Sequence, residues 1–172
     1  IDDASGVVTG AWFDTQETLN GYYHVFEQIL TDYGIPYKFL TDKRTVFTYK
    51  KKGALSDDKD TYTQFAYACK QLGVELESSS GPQAKGRIER LNQTLQSRLP
   101  IEFRLAGVTD INNANEFLYH YIKEFNEKFS LPCNGIKSVF EKQPSKEKIN
   151  LTLAVLTERT VDAGHAIQFE KK

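Results

Sequence analysis

Two acids stand where their surroundings suit chemistry. Asp42 closes the run Tyr37-Lys38-Phe39-Leu40-Thr41, and Glu89 lies in Gln83-Ala84-Lys85-Gly86-Arg87-Ile88-Glu89-Arg90-Leu91-Asn92. The first run predicts a short strand with Asp42 at its C-terminal end. The second predicts a polar, basic helix that opens after the Ser/Gly/Pro break at 78–82. Two carboxylates on separate elements, with Lys and Arg around the second, suit metal-assisted phosphoryl chemistry on a nucleic-acid backbone. Carboxylate oxygens hold hard divalent ions, and such ions stabilise the attacking and leaving oxygens. The acids are 89 − 42 = 47 positions apart, so only folding brings them together. Each also has a plainer reading. A strand-end Asp commonly caps a turn. A helix Glu commonly pairs with Lys85 or Arg90, a surface contact worth about 0–1 kcal/mol.

The helix around Glu89 divides into faces. Ile88, Leu91 and Leu95 form an apolar stripe expected to turn inward. Lys85, Glu89, Asn92, Gln93 and Gln96 line an adjacent polar face. Arg87, Arg90, Thr94 and Arg98 follow a third line, at a pitch that suits a phosphate backbone and the release of its counterions. Lys43, Arg44 and the run Lys50–Lys52 add positive charge after Asp42. The candidate DNA contacts are therefore Lys43, Arg44, Lys85, Arg87, Arg90 and Gln93.

The elements that position these residues follow from periodicity and punctuation. Residues 1–14 predict a hairpin, with its turn at Ala4-Ser5-Gly6 and strand formers from Val7 to Phe13. A helix is expected over 17–33, capped by Thr15 or Thr18 and ended by Gly34. After the strand at 37–41 comes a polar loop over 43–60, then a helix over 61–72 that buries Phe65, Ala68, Cys69 and Leu72. A strand follows at 74–77. Pro100 is expected to interrupt or kink the helix that starts near Ala84. Asp110 predicts the cap of a last long helix, ending near Ser130. Pro132, Gly135 and Pro144 mark a linker, and Leu151 to Phe169 reads as strand-like, with a turn at Ala163-Gly164-His165. This order predicts an α/β fold with a mixed sheet flanked by helices, where sites collect at the carboxyl ends of parallel strands.

Composition bounds the rest. Hydrophobic residues make up 40% of 172, enough for a core, and the net charge of −1 excludes a uniformly basic coat. No apolar run is long enough to predict a membrane span. Cys69 and Cys133 form no metal-ligand cluster and read as reduced structural thiols. His24, His120 and His165 are too scattered to suggest a metal triad, and Trp12 is expected in the core.

The segments Asp2-Asp3-Ala4-Ser5-Gly6, Glu17-Thr18, Leu40-Thr41-Asp42-Lys43-Arg44-Thr45-Val46-Phe47 and Gly81-Pro82-Gln83-Ala84-Lys85-Gly86-Arg87-Ile88-Glu89-Arg90 together resemble the retroviral-integrase catalytic core. This is a ribonuclease-H-like fold shared with insertion-sequence transposases, and the texture is closest to the bacterial members. The resemblance covers residues 1–130, with 131–150 as linker and 151–172 as the start of an incomplete C-terminal β segment. It implies a DDE-type polynucleotidyl transferase that cuts and joins DNA in transposition, with Asp42 and Glu89 as catalytic metal ligands. Two Mg²⁺ or Mn²⁺ ions, transposon ends and target DNA as partners, a homo-oligomer and a cytoplasmic, nucleoid-associated location are implied with it. The family's first Asp is expected on a strand ahead of Ile1, so this chain by itself is expected to be inactive. Asp2 and Asp3 fall in a turn and are expected to do turn chemistry. The spacing from Asp42 to Glu89 is longer than the family's usual one. Two alternatives stand beside this reading: a non-catalytic DNA-binding or assembly module of the same fold, and a ribonuclease-H-like nuclease.

Overall fold

The computed structural model describes residues 1–41, 48–49, 61–62, 64–78, 86–132, 135, 137–156, 161 and 163–167. The first helix, α1 (Leu19–Asp32), starts where the sequence says it should. Thr18 is extended, and its hydroxyl accepts the Gly21 N–H at 3.0 Å. The helix ends because Gly34 takes a φ of +107°, which lets its N–H reach back to the Ile29 carbonyl at 3.0 Å. A Cβ at Gly34 would fall 2.1 Å from the Glu141 carbonyl oxygen, so a later stretch of chain packs directly on this corner. There Ile35 and Glu141 form an antiparallel bridge, and the Gln143 amide donates to the Thr31 and Asp32 carbonyls at 2.8 and 3.2 Å.

Strand β1 (Lys38–Thr41) runs parallel to β4 (Glu75–Ser78), with Thr41 beside Ser78. Parallel strands need a crossover, and helix α2 (Gln64–Gln71) supplies it. Between them β2 (Thr48–Tyr49), in the region expected as loop, pairs antiparallel with β3 (Thr61–Tyr62), which takes the first positions of the helix expected over 61–72. The first core lies where α1 and α2 cover one face of the β1–β4 pair. Phe26, Leu30, Phe65, Ala68, Cys69, Leu72 and Val74 are buried there, with Phe39 and Leu76 packed against them. Burial pushes the Cys69 thiol up to about 12, so the side chain behaves as a small hydrophobe.

A second core joins α3 (Gly86–Ala106) to α4 (Ile111–Phe129) through Leu91, Leu99, Leu118, Ile122 and Phe125, with Val8 inserted. Asp110 caps α4 as expected, accepting the Asn112 and Asn113 N–H groups at 2.9 and 3.0 Å.

Three expectations change. Residues 1–14 form a turn but no hairpin. The Asp2 N–H donates to Val7 O at 2.7 Å and the Gly6 N–H to Asp2 O at 2.9 Å, yet Val7–Phe13 pairs with no strand among the described residues. Pro100 does not interrupt α3, which runs through it with the proline facing water. Residues 146–152, expected as linker and the first positions of a β segment, form helix α5 (Lys146–Thr152). Ser145 caps it, and Ile149 is buried in the first core. The turn at 163–165 is present, bracketed by an antiparallel bridge between Val161 and Ile167.

Candidate functional site

Glu89 lies in the first turn of α3 and is exposed. A carboxylate there is favoured by the positive end of the helix dipole. Its expected partner Arg90 turns away, and the Arg90 Nε donates to the Gly86 carbonyl at 3.1 Å. Among the described residues Glu89 has no ion pair. Asn92, Gln93 and Gln96 continue its face and are exposed. The polar face predicted from spacing therefore exists as far as it is described.

The arginine line is partly engaged within the protein. Arg87 Nε meets Asp3 Oδ1 at 3.3 Å, in a pair exposed enough to contribute little. The Arg98 guanidinium lies 5.0 Å from the centre of the Phe129 ring, which ties α3 to the end of α4. Arg87 and Glu89 are two positions apart and so point to different sides of the helix. Asp3, bound to Arg87, therefore approaches a different side of α3 from Glu89. Asp2 does turn chemistry, as expected. Its carboxylate accepts the Ser5 N–H at 2.8 Å and also the Ser5 hydroxyl.

Asp42, Lys43, Arg44 and Lys85 lie outside the described residues, as do Lys50–Lys52 and Cys133. What the structure gives is the approach to them. Thr41 and Ser78 are register partners at the carboxyl ends of β1 and β4. Asp42 follows the first of these directly, and the connection to α3 follows the second. Both candidate acids are thus carried by chain leaving one end of one parallel pair. Among the described residues, no group of three or more His, Cys, Asp or Glu side chains is placed to hold a metal. No helix among them is long and apolar enough to cross a membrane.

Sequence reasoning missed two features. Trp12 is not core: it is 36% exposed and stacks on His24 with ring centres 4.0 Å apart. The other is a set of three amide clamps. Asn126 Oδ1 accepts the Val8 N–H at 2.8 Å, and its amide nitrogen donates to Val8 O at 2.9 Å. Gln28 grips Ala11 in the same two-bond way at 2.9 and 3.1 Å, and Asn115 grips Phe13 at 2.7 and 2.9 Å. The available signal was Asn115 itself, a polar residue on the buried stripe of α4 beside Leu118 and Ile122. A buried amide needs partners, and here an extended backbone supplies them.

An apolar groove of about 570 Å³ opens between this extended segment and α3, lined among others by Trp12, Val25, Ile88, Leu91, Leu95 and Leu99. It explains why Ile88, expected inside, is 37% exposed. Asn92 and Gln96, from the Glu89 face, also line it.

The chain is similar to a transposase for insertion sequence IS1202 from Streptococcus pneumoniae, at 57% identity over 173 residues, covering all of this chain and 37% of that protein. It is also similar to the provisionally assigned transposase y4bF of Sinorhizobium fredii (strain NBRC 101917 / NGR234), at 36% identity over 131 residues, 76% of this chain and 28% of the relative. The chain thus spans about a third of the length of these curated relatives. No family model and no solved structure matches it.

Proposed function

We propose that this chain is part of a transposase, a DNA-cutting and strand-joining enzyme of the DDE type, and that Asp42 and Glu89 are two of its metal-binding carboxylates. The observation that carries the reading is the parallel register of Thr41 with Ser78. It sends Asp42 and the lead-in to the Glu89 helix away from the same sheet end, the place where α/β sheets build sites. The similarity to a transposase along the whole chain supports the same reading.

The donor set is chemically suited to Mg²⁺ or Mn²⁺: hard carboxylate oxygens, with amides rather than thiols or imidazoles nearby. Asp42 and Glu89 would hold the ions, together with a further Asp expected in the preceding part of the protein. Two such ions, when bound, polarise the phosphodiester and stabilise the attacking and leaving oxygens. The remaining work falls to the protein. Arg90 and Gln93, next to Glu89 along α3, would contact DNA, with Lys43, Arg44, Lys85 and Arg87 as further phosphate contacts. Arg87 would exchange its weak Asp3 partner for phosphate. The active form would be a homo-oligomer that pairs two DNA ends.

The test is Asp42→Asn and Glu89→Gln in the complete gene product, assayed on DNA carrying the element's terminal repeats. Both variants are expected to lose cleavage and joining while keeping the wild-type melting temperature and DNA binding. Full activity in either would remove that residue from the site. Retained cleavage in both, on RNA–DNA hybrids without strand joining, would favour the nuclease reading.

A further inference from the structure

Residues 141–156 touch the first core at successive points, and the order of those points gives a direction. Glu141 exchanges both backbone hydrogen bonds with Ile35, just ahead of β1, at 3.2 and 2.8 Å. Gln143 then holds the carbonyls of Thr31 and Asp32 that end α1. From there α5 turns back along α1. Ile149 is buried in the core and Leu153 packs against it, and both border a cleft with Asn20, Tyr23 and Glu27. Last, the Leu156 N–H donates to Gln64 Oε1 at 2.7 Å, on the first residue of α2.

The two ends of this path lie at opposite ends of the sheet. The C-terminal end of α1 feeds β1 through a short connection, so it sits at the amino end of that strand. Helix α2 is the crossover from β1 to β4, so its first turn sits at the carboxyl end of β1. Ring contacts agree: Phe65, in that first turn, meets Tyr22 and Tyr23 near the start of α1, with ring centres 5.8 and 6.4 Å apart. The path therefore crosses the whole of α1, about 20 Å.

We propose that residues 141–156 are a strap that carries the polypeptide from the amino to the carboxyl end of the β1–β4 pair, and that the part following Leu156 forms a wall of the candidate site of its own chain. A free linker would let that part serve its own core or another copy's equally. A strap fixed by Ile149 starts it beside the connection that follows Asp42, where its effective concentration favours its own core. Burial of Ile149 holds the strap, and Gln64 is the positioning residue that sets where the chain leaves. The path rests on the fold alone; that the rim it reaches carries a site rests on the reading proposed above.

The test places the photo-crosslinking residue p-benzoylphenylalanine at Val161, which is exposed, in the complete gene product assembled from mixed isotopically light and heavy copies. Cross-links are expected to peptides carrying Asp42 or Glu89, and each linked pair is expected to be all light or all heavy. Pairs of mixed isotope overturn the service to its own chain. Cross-links confined to the opposite end, around Ile35 and Gly73, or none to either acid's peptide, overturn the placement. A second measurement follows Leu156 amide exchange in the same product. Gln64→Leu, which lacks the acceptor, is expected to speed it by about tenfold, while Gln64→Glu, which keeps an oxygen there, leaves it slow. Equal exchange in all three proteins removes Gln64 as the anchor and overturns the exit point. Neither measurement uses DNA cleavage, so each can fail while Asp42 and Glu89 prove catalytic, and hold if they do not.

Discussion

The half of the molecule built on β1, β4, α1 and α2 and the half built on α3, α4 and the extended segment solve the same packing problem differently. The first closes on aromatic and aliphatic mass. Phe26 is 1% exposed and Leu30 fully buried, and Phe26 meets Phe39 edge-on with ring centres 5.1 Å apart. The second is stitched by side-chain amides to an isolated extended segment and leaves a groove open. A sheet whose strands sit side by side satisfies its own backbone, so helices can cover it with apolar groups only. An isolated strand cannot, and neighbouring helices must then give up core positions to Asn and Gln. The contrast shows that the second half spends polar groups where the first spends hydrophobic ones.

The comparison is most severely tested at Phe26. Phe26→Ala is expected to destabilise the chain by about 3–5 kcal/mol, because the surrounding rings cannot collapse into the space left. Chemical denaturation measures it, and a loss below about 1 kcal/mol would mean the first core is not close-packed. Asn126→Ala should cost less, about 1–3 kcal/mol, from leaving the Val8 N–H and C=O without their amide. Its sharper signature is local. Exchange at Val8 should speed up while amides in α2 stay protected, and uniform acceleration would deny the segment its separate clamping.

The smallest effect concerns Cys69. Its thiol is neutral in the fold up to about pH 12, while in the unfolded chain it ionises near the ordinary value of 9.0. The native state then holds the extra proton, so stability is fully present below pH 9 and falls as pH rises from there toward 12. Cys69→Ala is expected to flatten that part of the stability–pH curve. An unchanged slope would show the thiol to be less buried than described.

The helices were legible in the sequence because their information is local. Thr18 and Asp110 cap where a side-chain oxygen precedes an apolar period, and of the residues that spacing selects α2 buries Phe65, Ala68 and Cys69, with Leu72 buried just past its end. The strands β1 and β4 were legible for the same reason. Of the candidate site, spacing placed Glu89 on an exposed polar helix face, and the structure puts it there. The pairings of the arginines were not legible, since Asp3 and Phe129 lie far from them along the chain. Trp12 was misplaced because hydrophobicity implies burial only when enough structure surrounds it.

What the residues determined by themselves, then, is the set of elements: four long or medium helices, two of them with their caps, a crossover, and an acid at the start of a basic helix. What only the tertiary structure decided is how the extended segment is held. Val8 and Asn126 are 118 positions apart, and Phe13 and Asn115 are 102. Periodicity reports which face of an element seeks cover within a few residues. It carries no record of which distant amide will meet an unpaired backbone, because that match exists only once the helices have packed.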